Sequence, residues 1–307
     1  MVNGLSNETV FSRVSFGGAQ NIVRQNYEIV SSGGQSQLKT AIPKVGEGMK
    51  MYLASVSRLE TDLKAESGGL MKAYLAESGG LIFNDANILQ SFYYVDDFTR
   101  NIIIPNCKDF LLDSGAFTFI QNAKHVDWDE YVEKYAKFVR ENKIQKYFEL
   151  DIDSIVGLKE VERLRAKLER LVGWQCIPVW HRSRGMDYFI KQCEEYPYIA
   201  IGGIAIKEIK QNEYPIFKVL IKEAHKRNTK VHGLGFTQLK KLKMYNFDSV
   251  DSSSWVSGNR FGAIYWFNGE TLEKINKPKG KRVKSSQTAI NNFIQWKKFA
   301  NYVERTY

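Results

Sequence analysis

The segment Tyr198-Ile199-Ala200-Ile201-Gly202-Gly203 decides the fold, because a run of apolar residues ends abruptly at a pair of glycines. An apolar run of this length bounded by glycine predicts a short, buried β-strand. Comparable runs recur along the chain, and amphipathic helical segments separate most of them. The predicted strands cover residues 51–54, 92–95, 110–112, 147–150, 176–180, 198–201, 230–234 and 247–250. The predicted helices lie near residues 128–142, 158–172, 186–195, 215–228, 237–245 and 286–304.

About eight predicted strands, most of them separated by helices, predict parallel β/α units. Almost every predicted strand ends in glycine or in a polar residue suited to chemistry. These strand-end residues are Asp113, Asp151, His181, Gly202, Gly203, Gly233 and Asp251. In a (β/α)8 barrel the carboxyl ends of all strands share one face, whereas an open doubly wound sheet collects its ligand at one crevice. The even spread therefore predicts an α/β protein of the (β/α)8 TIM-barrel class.

Composition and length predict one barrel domain over residues 49–307, preceded by a polar extension over residues 1–48 that shows no helical or strand period. The 44 Lys and Arg against 34 Asp and Glu give a net charge of +10, which favours polyanionic partners, above all nucleic acid. No apolar run approaches the roughly 18 residues of a membrane span, and the N-terminus lacks a secretory layout, so we expect a cytoplasmic protein. Three widely spaced cysteines argue against a disulfide framework or a zinc knuckle.

Acidic residues at the strand ends are the candidates for chemistry. Asp113 leaves a buried strand immediately before Ser114 and Gly115, although a helix cap is the alternative interpretation of such an aspartate. Asp248 and Asp251 are three residues apart on one predicted strand, so at most one of them points into the site. The missing side chains of the glycine pair after residue 201 would let a flat ligand approach the backbone.

Five short motifs, taken in order, resemble the queuine/archaeosine tRNA-guanine transglycosylase family. They are Leu111-Leu112-Asp113-Ser114-Gly115, Leu150-Asp151-Ile152, Ile201-Gly202-Gly203-Ile204-Ala205, Val231-His232-Gly233-Leu234-Gly235 and the pair Asp248 and Asp251. The resemblance covers about residues 50–266. It implies a (β/α)8 barrel that acts as a pentosyltransferase, exchanging guanine in a nucleic acid for a 7-deazaguanine base.

The resemblance also implies residue roles. Asp251 would be the nucleophile that forms a covalent glycosyl intermediate, and Asp113 would be the general acid/base. Contacts to the base would come from Ser114, Phe117, Asp151, His181, Gly202, Gly203, Ile204, Ala205 and His232. His181 stands where the family usually has a glutamine.

No cysteine follows Asp251, so the zinc site of the tRNA-acting members is absent, and we predict neither a metal nor a cofactor. A compact, basic, zinc-free barrel is more similar to the phage and bacterial members that modify DNA. We therefore predict a DNA transglycosylase. Three alternatives stay open: the same exchange on tRNA, a non-catalytic nucleic-acid-binding accessory barrel, and an unrelated barrel hydrolase acting on small glycosides.

A basic run over residues 277–284 and the arginine at position 260 would suit contacts with phosphates. The predicted nucleic-acid-binding residues are Arg260, Lys279, Lys281 and Arg282. An ordinary solvated loop before the last helix explains the same run equally well.

Overall fold

In a computed structural model, the structure describes residues 48–57, 81–115, 118, 126–256, 263–276 and 285–307. Seven parallel strands form one sheet in the order β3-β2-β1-β7-β6-β5-β4. The strands are β1 (Lys50–Ala54), β2 (Asn87–Ser91), β3 (Asp109–Asp113), β4 (Val179–Trp180), β5 (Tyr198–Ile201), β6 (Lys230–Gly233) and β7 (Ser249–Ser252).

The segment Tyr147–Phe148 closes this curled sheet into a ring. Tyr147 forms a parallel bridge with Leu112 of β3, and Phe148 forms one with Ile177, just before β4. The Phe148 amide donates to the Leu112 carbonyl at 2.9 Å, and the Ile177 amide donates to the Tyr147 carbonyl at 2.8 Å. With this segment, the described residues contain eight strand positions in chain order around the ring, which confirms the predicted barrel.

Helices of the predicted β/α units surround the ring. Five long helices are present in the described residues: α1 (Trp128–Glu141), α2 (Leu158–Val172), α3 (Gly185–Glu195), α4 (Ile216–His225) and α5 (Ser285–Thr306). A π-helical turn (Thr99–Ile103) followed by Ile104–Asn106 connects β2 to β3, and a 3-10 helix (Leu239–Met244) connects β6 to β7. The helical bounds agree with the sequence predictions within about three residues, the usual uncertainty of helix ends.

Two local predictions are wrong. The strand predicted over 92–95 is a 3-10 turn (Phe92–Tyr94), and the real strand β2 ends just before it. Three consecutive aromatic residues have high strand propensity, but Ile88 and Leu89 fill both faces of the barrel wall and fix the strand earlier. An antiparallel hairpin of β8 (Ala263–Phe267) and β9 (Leu272–Asn276) was not predicted, and it lies outside the barrel sheet.

Side chains alternate along each strand between the barrel interior, called the lumen below, and the helices outside. The apolar lumen cluster consists of Tyr52, Ala54, Leu89, Leu111, Phe148, Ile177, Val179, Tyr198 and Ala200. The alternate positions, such as Met51, Leu53 and Val250, pack in the layer between the sheet and the helices. Polar residues two positions before or after the lumen cluster therefore face the two ends of the barrel.

The predicted domain boundary at residue 48 stays a prediction, because residues 1–47 lie outside the described residues. None of the described helices combines the length and the apolar character that a membrane span requires. The expected cytoplasmic location stays a prediction.

Candidate functional site

The carboxyl ends of the barrel strands bring the predicted acids to one face. Asp113 is the last residue of β3 and follows the lumen residue Leu111 by two positions. Asp251 lies in β7, and Asp151 follows the closing segment Tyr147–Phe148 by three residues. The charges of Asp151 and Asp251 both act on Asp113, so the three carboxylates form one electrostatic cluster. We call this end of the barrel the mouth.

Asp251 is held by a backbone amide and lies beside an imidazole nitrogen. Its Oδ1 atom lies 2.5 Å from the Gly235 amide, which donates to it, and 3.2 Å from Nε2 of His232. The side chain of Asp251 is 10% exposed, so the carboxylate can still be reached from the mouth. Gly235 has φ +71°, and a Cβ there would lie 3.1 Å from the Cβ of Ala205, so a glycine is required to aim this amide.

Asp248 is the acid that does not face the mouth. Its Oδ2 atom accepts hydrogen bonds from the Val231 amide and from Nε2 of His225, both at 2.8 Å. The amide of Lys50, at the start of β1, donates to the Asp248 carbonyl. Asp248 therefore belongs to the opposite end of the barrel, as expected for two acids three residues apart on a strand.

Asp113 has an unusual proton affinity. Burial raises the pKa of this carboxyl, the amide of Gly115 (3.1 Å from Oδ2) lowers it, and the charges of Asp251 and Asp151 raise it further, to about 6. An ordinary aspartate is ionised well below that pH. Asp113 is therefore half protonated at about pH 6, where an ordinary aspartate is ionised, and it lies beside two other carboxyl groups.

His181 lies between two carboxylates. Its Nε2 is 2.7 Å from Oδ1 of Asp151, and its Nδ1 is 2.8 Å from Oε2 of Glu208. Burial opposes a charge on the ring, but the hydrogen bonds of Asp151 and Glu208 and the charges of Asp151 and Asp153 outweigh burial and raise the pKa of His181 to about 9. At neutral pH the ring is an imidazolium that donates from both nitrogens.

The glycine pair after β5 makes room for this ion cluster. A Cβ on Gly202 would lie 2.7 Å from Cε1 of His181, and a Cβ on Gly203 would lie 2.5 Å from Oε2 of Glu208. Gly203 also has φ +77°, which suits glycine. The two missing side chains thus accommodate neighbouring side chains of the protein itself, which is a different reason for glycine from the ligand approach expected above.

One group of the described residues has donor atoms within metal-binding reach: Asp151, Asp153 and His181, whose ligand atoms lie within 4.8 Å of one another. Asp153 accepts a hydrogen bond from Nε of the buried Arg184 at 3.0 Å. A cation here would have to displace the proton between His181 and Asp151 and would meet the guanidinium of Arg184. The donor set therefore fits an ion-pair network better than a divalent metal.

The mouth carries an excess of acids in the described part of the chain. The acids are Asp113, Asp151, Asp153, Glu208 and Asp251, and the cations that contact them are His181 and Arg184. Even with Asp113 protonated, the balance is negative. Such a field attracts cations and tolerates neutral groups, and it repels phosphates.

Buried hydroxyls and exposed aromatic rings lie around Asp113. Ser114 Oγ is buried and has no hydrogen-bond partner among the described residues. Ser91 is beside Asp113 in the sheet register, and a hydrogen bond from its hydroxyl lowers the pKa of that carboxyl. The side chains of Tyr93 and Tyr94, directly after β2, are 40% and 51% exposed, and their ring centroids are 5.0 Å apart. A free hydroxyl beside an exposed aromatic pair can bind a ring-shaped ligand that carries hydroxyl groups.

The structure places the predicted site residues unevenly. Asp113, Ser114, Asp151, His181, Gly202, Gly203 and Asp251 come together at the mouth. His232 is fully buried in the lumen below Asp251, the Ile204 side chain lies in the core, and Ala205 is exposed. Phe117, Arg260, Lys279, Lys281 and Arg282 lie outside the described residues. Sequence reasoning missed Glu208, whose only signal was an acid soon after the glycine pair.

Comparison with known proteins gives little beyond this. No protein-family model matches the chain, and no curated protein matches it. Among solved structures, the chain is similar to the crystal structure of a putative fructose-1,6-biphosphate aldolase from Coccidioides immitis, with a TM-score of 0.45 and 10% sequence identity. The likeness covers 84% of this chain and 88% of that chain. A likeness at this level carries no argument about activity.

These findings correct the resemblance to the tRNA-guanine transglycosylase family. No model of that or any other family matches, and the similar solved structure named above is that of a putative aldolase. Base exchange on DNA, the tRNA and accessory-barrel alternatives, and the pentosyltransferase assignment are withdrawn with it. The five motifs are strand ends of three to five residues, and aspartate and glycine recur at strand ends of any such barrel. The nucleic acid partner stays a prediction.

Proposed function

We propose that the mouth is the active site of an acid–base enzyme that hydrolyses glycosidic bonds in a neutral substrate. The observation that carries the proposal is the pairing of Asp113, whose pKa is raised to about 6, with Asp251, whose Oδ1 accepts the Gly235 N–H and lies 3.2 Å from Nε2 of His232. A carboxyl group that keeps its proton up to about pH 6, next to a second carboxyl group, can act as the acid of such a pair.

Glycoside hydrolysis needs both members of this pair. Protonated Asp113 donates its proton to the oxygen of the leaving group, which cannot depart as an alkoxide. Asp251 stabilises the positive charge that develops at the anomeric carbon, or bonds to it until water completes the hydrolysis. Asp113, then ionised, accepts the proton of that water, so the cycle ends with both groups restored.

The surroundings of the pair support a sugar-like substrate. The negative balance of the mouth tolerates neutral sugars and opposes phosphorylated ones. The free hydroxyl of Ser114 can bond a sugar hydroxyl, and the exposed rings of Tyr93 and Tyr94 can stack on a sugar face. The His181 imidazolium, held by Asp151 and Glu208, keeps a fixed positive charge at the edge of the site.

The test is hydrolysis of a panel of aryl glycosides by the full chain. We expect one or more of them to be cleaved, and we expect Asp113→Asn and Asp251→Asn each to lower kcat/KM by about 100-fold or more. Asp97→Asn is the matched control, since this aspartate is 84% exposed and pairs only with the exposed Arg100 among the described residues. Asp97→Asn should match the wild type.

Cleavage that survives in both Asn variants would contradict the assignment of the pair. A folded protein that cleaves no glycoside of the panel would contradict the reaction class. A slow fluoroglycoside with a good leaving group adds a direct readout, because mass spectrometry of the digested protein then locates any covalent sugar. Such a sugar on a residue other than Asp251 would assign the nucleophile elsewhere.

A further inference from the structure

A chain of buried polar groups runs down the lumen from Asp251. Nε2 of His232 lies 3.2 Å from Asp251 Oδ1, and Nδ1 of the same ring lies 2.5 Å from Ser249 Oγ. Ser249 Oγ in turn lies 2.5 Å from the hydroxyl of Tyr198. The exposed fractions of Tyr198, Ser249 and His232 are 8%, 2% and 0%. Water therefore does not compete for these bonds.

The direction of each hydrogen bond in this row of polar groups follows from its last member, Tyr198. Burial raises the pKa of Tyr198, so its hydroxyl keeps its proton and donates it. Ser249 Oγ is the only acceptor the described residues offer to that hydroxyl, so Ser249 donates onward to His232 Nδ1. An imidazole that accepts at Nδ1 carries its proton on Nε2 and donates it to Asp251.

The ring of His232 has no room to turn away. Its centroid lies 5.3 Å from that of Phe148 and 6.0 Å from that of Tyr52, both in the lumen cluster. The ring cannot contact a substrate from this buried position. Its two nitrogens are instead committed to Ser249 and Asp251.

We propose that Tyr198, Ser249 and His232 are positioning residues: these three residues fix His232 as the Nε2–H tautomer, which donates to Oδ1 of Asp251 and leaves Oδ2 for the mouth. Oδ1 of Asp251 is then saturated by His232 and Gly235, and Oδ2 is the oxygen left for the reacting centre. The kinetic part of this inference rests on the proposed function. The tautomer itself does not.

The first test is nuclear magnetic resonance of protein labelled with 15N in its imidazole rings. We expect His232 to show a protonated Nε2 and a bare, hydrogen-bonded Nδ1, with assignment from the His225→Gln variant and from the chain variants below. Tyr198→Phe should move the Nδ1 resonance toward that of a free nitrogen. Tyr147→Phe is the control, because it removes another buried phenol, which donates at 2.6 Å to the Trp174 carbonyl and takes no part in these bonds.

A protonated Nδ1 in the wild-type protein, or equal shifts in Tyr198→Phe and Tyr147→Phe, would overturn the inference. The second test is kinetic: Ser249→Ala should lower kcat about 10-fold or more with KM little changed, and Ser249→Thr, which keeps the hydroxyl, should recover part of the loss. If the tautomer is as expected and no glycoside is cleaved, the proposed function fails alone. If glycosides are cleaved and the tautomer is reversed, this inference fails alone.

Discussion

The strand β3 begins and ends with an aspartate, and the two acids have opposite partners and opposite pKa shifts. Asp109 and Asp113 lie four residues apart, so both face the lumen, one at each end of the barrel. Asp109 accepts hydrogen bonds from Lys50 (2.8 Å) and Tyr52 (2.9 Å), and also from Lys146. Burial raises its pKa, but the two ammonium groups outweigh burial, and the net shift is downward.

Asp113 has the opposite surroundings. It has one amide donor and two neighbouring carboxylates, and its pKa rises to about 6. The barrel therefore neutralises a charge where it needs stability and leaves a charge uncompensated where a ligand can enter. Function and stability are separated along one strand of five residues.

The largest expected effect comes from removing the charge of Asp109, at the end of the barrel opposite the mouth. Asp109→Asn leaves the partly buried ammonium groups of Lys50 and Lys146 without their anion, and we expect a loss of about 3 kcal/mol of unfolding free energy. Urea unfolding measures this loss. Glycoside cleavage per folded molecule should be nearly unchanged. A variant as stable as the wild type would show that Asp109 does not hold this end together.

The second effect is smaller and opposite in sign. The raised pKa of Asp113 means that the folded protein binds its proton more tightly than the unfolded chain, so the stability linked to this group is present below about pH 4 and is lost as pH rises through about 6. The Asp113→Asn variant has no carboxyl to ionise at this position, so it does not lose this stability as pH rises. We expect the variant to be about 1 kcal/mol more stable than the wild type at pH 8 and equal to it near pH 4. Destabilisation at pH 8 would contradict the assigned surroundings.

The third effect is a slope in stability at alkaline pH. The pKa of His181 is raised from 6.5 to about 9, so its contribution to stability is complete below about pH 6.5 and is lost as pH rises through about 9. Between pH 7 and pH 10 the His181→Gln variant should lose about 1 kcal/mol less unfolding free energy than the wild type loses. His225→Gln, which removes a ring bonded to Asp248 at the opposite end, should leave that slope in place.

The fold was predictable because most of the barrel strands and the long helices have clear local sequence patterns. Alternating apolar runs and amphipathic segments predict β/α units, and the closing segment Tyr147–Phe148 lies within the predicted strand 147–150. The clustering of Asp113, Asp151 and Asp251 was predictable for the same reason, since parallel strands end on one face. The hairpin of β8 and β9 was missed, because nothing in the barrel pattern calls for it.

The chemistry of the site was less predictable, because it depends on contacts between distant loops. Glu208 reaches His181 only because Gly203 adopts a positive φ and leaves space for its carboxylate. His232 was expected to contact a ligand, but alternation along β6 places it below Asp251. The short motifs identified strand ends that do lie at the mouth, but the family that they suggested is wrong.

The closing segment Tyr147–Phe148 is also a join at which the barrel ring can open locally. It joins the ring through only a few backbone hydrogen bonds, with one tyrosine hydroxyl, that of Tyr135, donating to the carbonyls of Leu112 and Phe148 across the join. Local opening costs least where backbone bonds are fewest. Amide exchange should therefore report opening along this join, and each such opening separates Asp113 from Asp151 while Asp251, between β1 and β6, keeps its place.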